Sequence, residues 1–118
     1  MNDEPDKVII VEGITDKKQI GKLITDQVII LCTHGTFDIE RFDELLEEYD
    51  LYHKDVYIFV DEDESGLKLR QHLTQELPHA RHLHVSEENR EVAVTPENIL
   101  ANILVSHNIQ INSFYLRL

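Results

Sequence analysis

Three short runs constrain this chain more than anything else in it: KVIIV at 7–11, QVIILC at 27–32 and DVYIFV at 55–60. Each is a nearly unbroken series of β-branched and aliphatic residues. Each is too short for a core helix, and none shows the polar alternation of a strand with one wet face. Such strands must be covered on both faces, and the segments between them can supply the cover.

Residues 15–25 place Ile20, Leu23 and Ile24 opposite Lys17, Lys18 and Lys22, an amphipathic helix. Residues 38–49 place Phe42, Leu45, Leu46 and Tyr49 on one helical stripe, and Asp38, Glu40 and Asp43 near the start suit the helix dipole. After Asp61-Glu62-Asp63-Glu64-Ser65-Gly66 a third helix is expected to about Leu77, with Leu69, Leu73 and Leu77 in line and Pro78 stopping it. ARHLHV (80–85) reads as a weaker strand, and SEENREVAV (86–94) as a polar loop. Thr95-Pro96-Glu97 predicts a helix start, with Thr95 as N-cap and Pro96 at the first helical position. Ile99, Leu100, Ile103 and Leu104 then face the core, and the tail NSFYLRL forms a short strand or packs on it. The order is βαβαβαβα. It predicts an α/β fold: a four-stranded parallel sheet, Rossmann-like, with helices on both faces.

Residues 1–118 read as a single domain without repeats or linkers. Cys32 is the sole cysteine and lies in an apolar run, where it reads as a small buried residue. No stretch suits a membrane span, and MNDEPDK has no apolar leader core, so the expected location is cytoplasmic. Lys and Arg number 11 against 23 Asp and Glu, a net charge of −12. That balance argues against tight, unaided binding of nucleic acid. It leaves room for a metal-assisted encounter with phosphate, or for a basic partner. Most of the carboxylates read as solvated surface.

Ligands of open α/β sheets bind outside the carboxyl ends of the strands. There the sequence places Glu12-Gly13 after the first strand, the turn Thr33-His34-Gly35-Thr36 after the second, and Asp61-Glu62-Asp63 after the third. On an extended segment Asp61 and Asp63 point the same way, and Glu62 points away. Adjacent carboxylates repel, and a divalent cation offsets the repulsion. Mg²⁺ takes one or two carboxylates plus phosphate oxygens, so the set suits metal-assisted phosphoryl chemistry. Gly13 and Gly66 would let backbone approach a ligand closely.

VIIVEGITD (8–16) and YIFVDEDESG (57–66) together resemble the two motifs of the Toprim family. That domain occurs in topoisomerases, bacterial primases, old-family nucleases, recombination mediators and the 5S ribosomal RNA maturases. The resemblance covers essentially the whole chain, because the element order matches too, and the expected sheet order is 2-1-3-4. GLKLR after the D-x-D, and the Thr-x-Gly turn, are similar to the maturase subgroup. The resemblance implies that Glu12 is a general acid/base or metal ligand and that Asp61 and Asp63 hold Mg²⁺, with Mn²⁺ as a substitute. It implies that Asp16 is a supporting residue, and it points to nuclease or related phosphoryl-transfer activity on RNA or DNA. The alternative is a non-catalytic module that binds metal or nucleic acid, or docks on a larger nucleic-acid-processing protein. The family's D-R-E-G variant of the second motif is absent, as is a topoisomerase-like tyrosine setting; Tyr49, Tyr52, Tyr57 and Tyr115 read as packing residues.

His34, Lys68 and Arg70 border the predicted site and are candidate phosphate contacts. For Lys68 and Arg70 a solvated helix face is the competing reading. His79, His82 and His84 lie close in sequence but lack the cysteines or HExxH helix of a zinc site, so they read as surface or partly packed histidines. No G-x-G-x-x-G is present, which argues against a dinucleotide.

Overall fold

A computed structural model describes residues 5–34 and 39–116. The three apolar runs form β1 (Lys7–Val11), β2 (Val28–Cys32) and β3 (Asp55–Phe59), and β4 is short (Arg81–Leu83). The helices are α1 (Ile14–Gly21), α2 (Ile39–Glu48), α3 (Glu64–Glu76) and α4 (Glu97–Ser106). Two 3₁₀ turns, Leu51–His53 and Ser113–Leu116, complete the ordered elements among the described residues.

All strand pairings within the sheet are parallel, and the strand order is β2-β1-β3-β4, as the sequence predicts. β1 and β3 are central neighbours, with Ile10 opposite Ile58, and Val11 stands opposite Cys32 on β2. The residues that follow β1 and β3 therefore emerge side by side at one rim.

Side chains alternate across the sheet, which explains the unbroken apolar runs. Val8, Ile10, Val56, Ile58 and Val60 pack against Phe42 and Leu46 of α2 and Leu69 and Leu73 of α3. Ile9, Val11, Tyr57 and Phe59 pack on the other face against Ile20 of α1 and Leu100 and Leu104 of α4. Each such burial contributes roughly 1.5–3 kcal/mol before conformational entropy is subtracted.

Several boundaries differ from the sequence expectation. α1 ends at Gly21 rather than near Thr25. Leu23 is still buried, and Ile24 makes an antiparallel bridge to Ile111, so the tail returns to cover this edge of the core. α4 begins one residue later than predicted: Pro96 occupies the N-cap position, and the buried Thr95 hydroxyl donates to Glu91 O. The tail forms a 3₁₀ turn rather than a strand. Gly35 and Thr36 of the predicted turn, Asp38 at the predicted helix start, and the ends 1–4 and 117–118 lie outside the described residues.

Candidate metal centre

Glu12 follows β1, Asp61 follows Val60 at the end of β3, and Asp63 is the N-cap of α3. One carboxylate oxygen from each lies within 4.8 Å of the other two. All three side chains are half-buried.

Each carboxylate is aimed by a single backbone donor. Asp61 N–H donates to Glu12 Oε1 at 2.9 Å, Val92 N–H to Asp61 Oδ1 at 2.8 Å, and Gly66 N–H to Asp63 Oδ1 at 2.7 Å. Among the described residues, the second oxygen of each carboxylate has no hydrogen-bond donor. Three oriented acids thus bring carboxylate oxygens into one small volume, and each keeps an oxygen with no donor among the described residues.

The electrostatics agree. Burial pushes the Glu12 carboxyl above its ordinary range, opposed by the Asp61 N–H and reinforced by Asp61, Asp63 and Asp16. Burial also raises Asp61, against the Val92 N–H and with help from Asp16, Asp63 and Glu91. The cluster is an assembled negative charge that a hard dication would relieve. Oxygen ligands, close spacing and mutual repulsion all fit a hard divalent cation.

The supporting residues have separate tasks. Asp16 is buried, and its Oδ2 accepts the Gly13 N–H at 3.0 Å, which closes the turn carrying Glu12 into α1. Gly66 allows a close approach: a Cβ there would stand 2.0 Å from Asp61 O and 2.9 Å from Glu12 Oε1. The start of α3 can pack against the end of β3 only because this side chain is missing. A Cβ at Gly13 would meet only Asp16 Oδ2, at an ordinary 3.7 Å.

The three phosphate candidates part company. His34 is exposed at the end of β2, in the left-handed region with φ 58°. Lys68 is exposed on α3 and makes a long 3.6 Å pair with Glu64. Arg70 is a correction to the sequence reading, because its guanidinium is buried and engaged at the strand ends rather than open to a phosphate. It is 8% exposed and donates to the carbonyls of Ile58, Val60 and Leu83 and to Glu62 Oε1. It also donates to His82 Nδ1 at 2.9 Å, so that nitrogen carries no proton. Burial and the adjacent Arg70 charge depress the His82 pKa accordingly. His84 donates to the same Glu62 at 2.7 Å. Glu62 therefore points away from the metal centre, as its place between Asp61 and Asp63 predicts. Two of the three neighbouring histidines join this brace, while His79 faces Lys54 O.

Sequence reasoning missed the loop 86–94. It reads as a polar connector, yet the buried Val92 supplies the N–H that aims Asp61, and Arg90 O accepts the Glu62 N–H. The signal was the apolar VAV triplet at 92–94, whose first valine is fully buried.

A model of the Toprim domain matches residues 7–90. The chain belongs to the Toprim family. It is 45% identical over 114 residues to a Bacillus subtilis (strain 168) protein named "Uncharacterized protein YusF", covering 97% of this chain and 77% of that one. It is also similar to a small Toprim domain protein from Bacillus stearothermophilus, with TM-score 0.89 and 37% identity over 99% of this chain and all of that one. Toprim is a metal-binding fold of nucleases, primases and topoisomerases. The sheet brings together Glu12, Asp61 and Asp63, an acidic group that could hold a metal ion. Among the described residues no helix is long and apolar enough to cross a membrane.

Proposed function

We propose that this Toprim protein is an Mg²⁺-dependent phosphoryl-transfer enzyme, a nuclease acting on RNA or DNA in the cytoplasm. The observation that carries the reading is the convergence of three backbone-oriented carboxylates, each with a spare oxygen, at the rim of the sheet. Asp61 and Asp63 would hold the metal, with Glu12 as a third ligand or as the proton carrier. A bound divalent ion polarises a phosphoryl oxygen and acidifies water. Glu12 can hold a proton at Oε2 while Oε1 stays on the Asp61 N–H, because its carboxyl is pushed up by burial and by its acidic neighbours. Asp16 and Gly66 keep these groups in register.

The test is cleavage of labelled RNA, including a structured ribosomal RNA precursor, and of DNA, with Mg²⁺ or Mn²⁺. Glu12→Gln and Asp61→Asn should each lower the rate by about 10²-fold or more. Absence of cleavage in every substrate, or activity that survives both substitutions, would sink the proposal.

A second reading is supported by the net charge of −12 and by Ile14, Leu67 and Val94, which are 51%, 50% and 62% exposed. Each follows a site residue or one of its donors closely in the chain. An apolar, acidic rim suits docking onto a basic, nucleic-acid-bearing protein. In that reading the metal is bound but cleavage requires the partner, so metal binding without cleavage by the isolated chain would favour it.

A further inference from the structure

Beside the metal centre the sheet ends at β2, and a cleft of about 460 Å³ runs along that edge. Every residue of β2 lines it. Ile14 and Lys17 of α1 form one wall, and Arg41, Leu45 and Tyr49 on and just past α2 form the other. His34 stands at its upper end. The cleft thus has an apolar floor and a rim bearing Lys17, His34 and Arg41, all exposed.

Two features connect it to the acidic site. Cys32, in its lining, reaches Gly13 O at 3.4 Å, and Thr33 N–H donates to Val11 O, next to Glu12. The upper end of the cleft is therefore one strand away from Glu12, about 4.8 Å in the sheet direction. Grouped basic side chains matter in a chain of net charge −12, because a phosphate polymer needs a local exception to the prevailing field. A cationic groove with an apolar floor suits an unpaired strand, whose phosphates take the rim and whose bases take the floor beside the half-buried Tyr49 ring. A duplex buries its bases and would leave the floor unused.

We infer that the β2-edge cleft binds single-stranded nucleic acid, with Lys17, His34 and Arg41 on its phosphates, and leads the strand to or from the carboxylates. This rests on the phosphoryl-transfer reading for its purpose but not for its test, because binding can be measured with the metal chelated.

The experiment is fluorescence anisotropy of labelled oligothymidylate and oligouridylate in chelator at low salt, with light scattering on the same samples. Wild type should bind both oligonucleotides. Lys17→Glu and Arg41→Glu should each weaken binding by about tenfold, the loss of one charge-assisted contact. Replacing either side chain by glutamine should reduce the slope of log affinity against log salt by about 0.7. Arg81→Gln, on β4 at the opposite edge of the sheet, should leave affinity within about twofold. Thermal melts confirm that each variant is folded. The inference is overturned if neither oligonucleotide binds, or if affinity ignores Lys17 and Arg41. It is also overturned if light scattering shows a dimer that Ile29→Glu dissociates, because the cleft is then filled by a second copy. Failure here with intact cleavage would leave the metal centre standing and place the substrate elsewhere.

Discussion

Asp61 and Glu62 are adjacent in the chain and leave the same strand, yet they enter opposite electrostatic settings. Glu62 turns toward Arg70 and His84, and its charge is answered within the fold at 3.2 and 2.7 Å. Asp61 turns toward Glu12 and Asp63, and no cation lies among the main influences on its carboxyl, which burial and acidic neighbours push up. A charge that the fold has neutralised is structure. A charge that the fold has oriented with one backbone donor and left among like charges is prepared for something from outside. This contrast separates brace from site inside a single D-E-D triplet.

The largest expected effect lies on the brace. Arg70→Ala takes one of two donors from Glu62, removes the guanidinium from several carbonyls, and should cost about 3–5 kcal/mol, read from chemical denaturation. A loss below about 1 kcal/mol would mean that the brace is decorative and would break the comparison.

Gly66→Ala comes next, because a methyl group cannot share space with the Asp61 carbonyl. It should cost about 3 kcal/mol, the upper range for overpacking, and should weaken metal binding as the D-x-D segment shifts. Gly13→Ala should be milder on both measures.

The smallest effect is the most diagnostic. Glu12 and Asp61 have raised values in the folded state, so the fold binds their protons more tightly than the unfolded chain does. Their contribution favours the fold below the ordinary carboxylate range and declines as pH rises through the raised values. Asp26, lowered by its bond to Lys7, acts in the opposite sense, with stability lost as pH falls. The difference between wild type and variant isolates the site. In chelator at neutral pH, Glu12→Gln and Asp61→Asn should melt no lower than wild type, and the gap should close on acidification. Saturating Mg²⁺ should reverse the order, because it stabilises only the protein that binds it. A wild type that melts higher than both variants in chelator would contradict the account.

The parts legible from sequence were those carried by side-chain pattern. The three apolar runs have one physical solution, a sheet covered on both faces, and Glu12, Asp61 and Asp63 follow from where those strands end. Arg70 was misread because its guanidinium is buried by a partner, Glu62, that lies eight positions earlier and across a strand end. Nothing in GLKLR marks the fifth residue as internal. Val92 was missed because what it supplies is a backbone N–H, which every residue but proline carries. The early end of α1 escaped because Leu23 and Ile24 keep a helical spacing while packing from a turn.

Titration calorimetry with Mg²⁺ on wild type, Asp61→Asn and Glu62→Gln tests the central claim most directly. The account predicts a binding heat in wild type that Asp61→Asn abolishes and folded Glu62→Gln retains. Binding that is absent in wild type, or that survives Asp61→Asn, would contradict it.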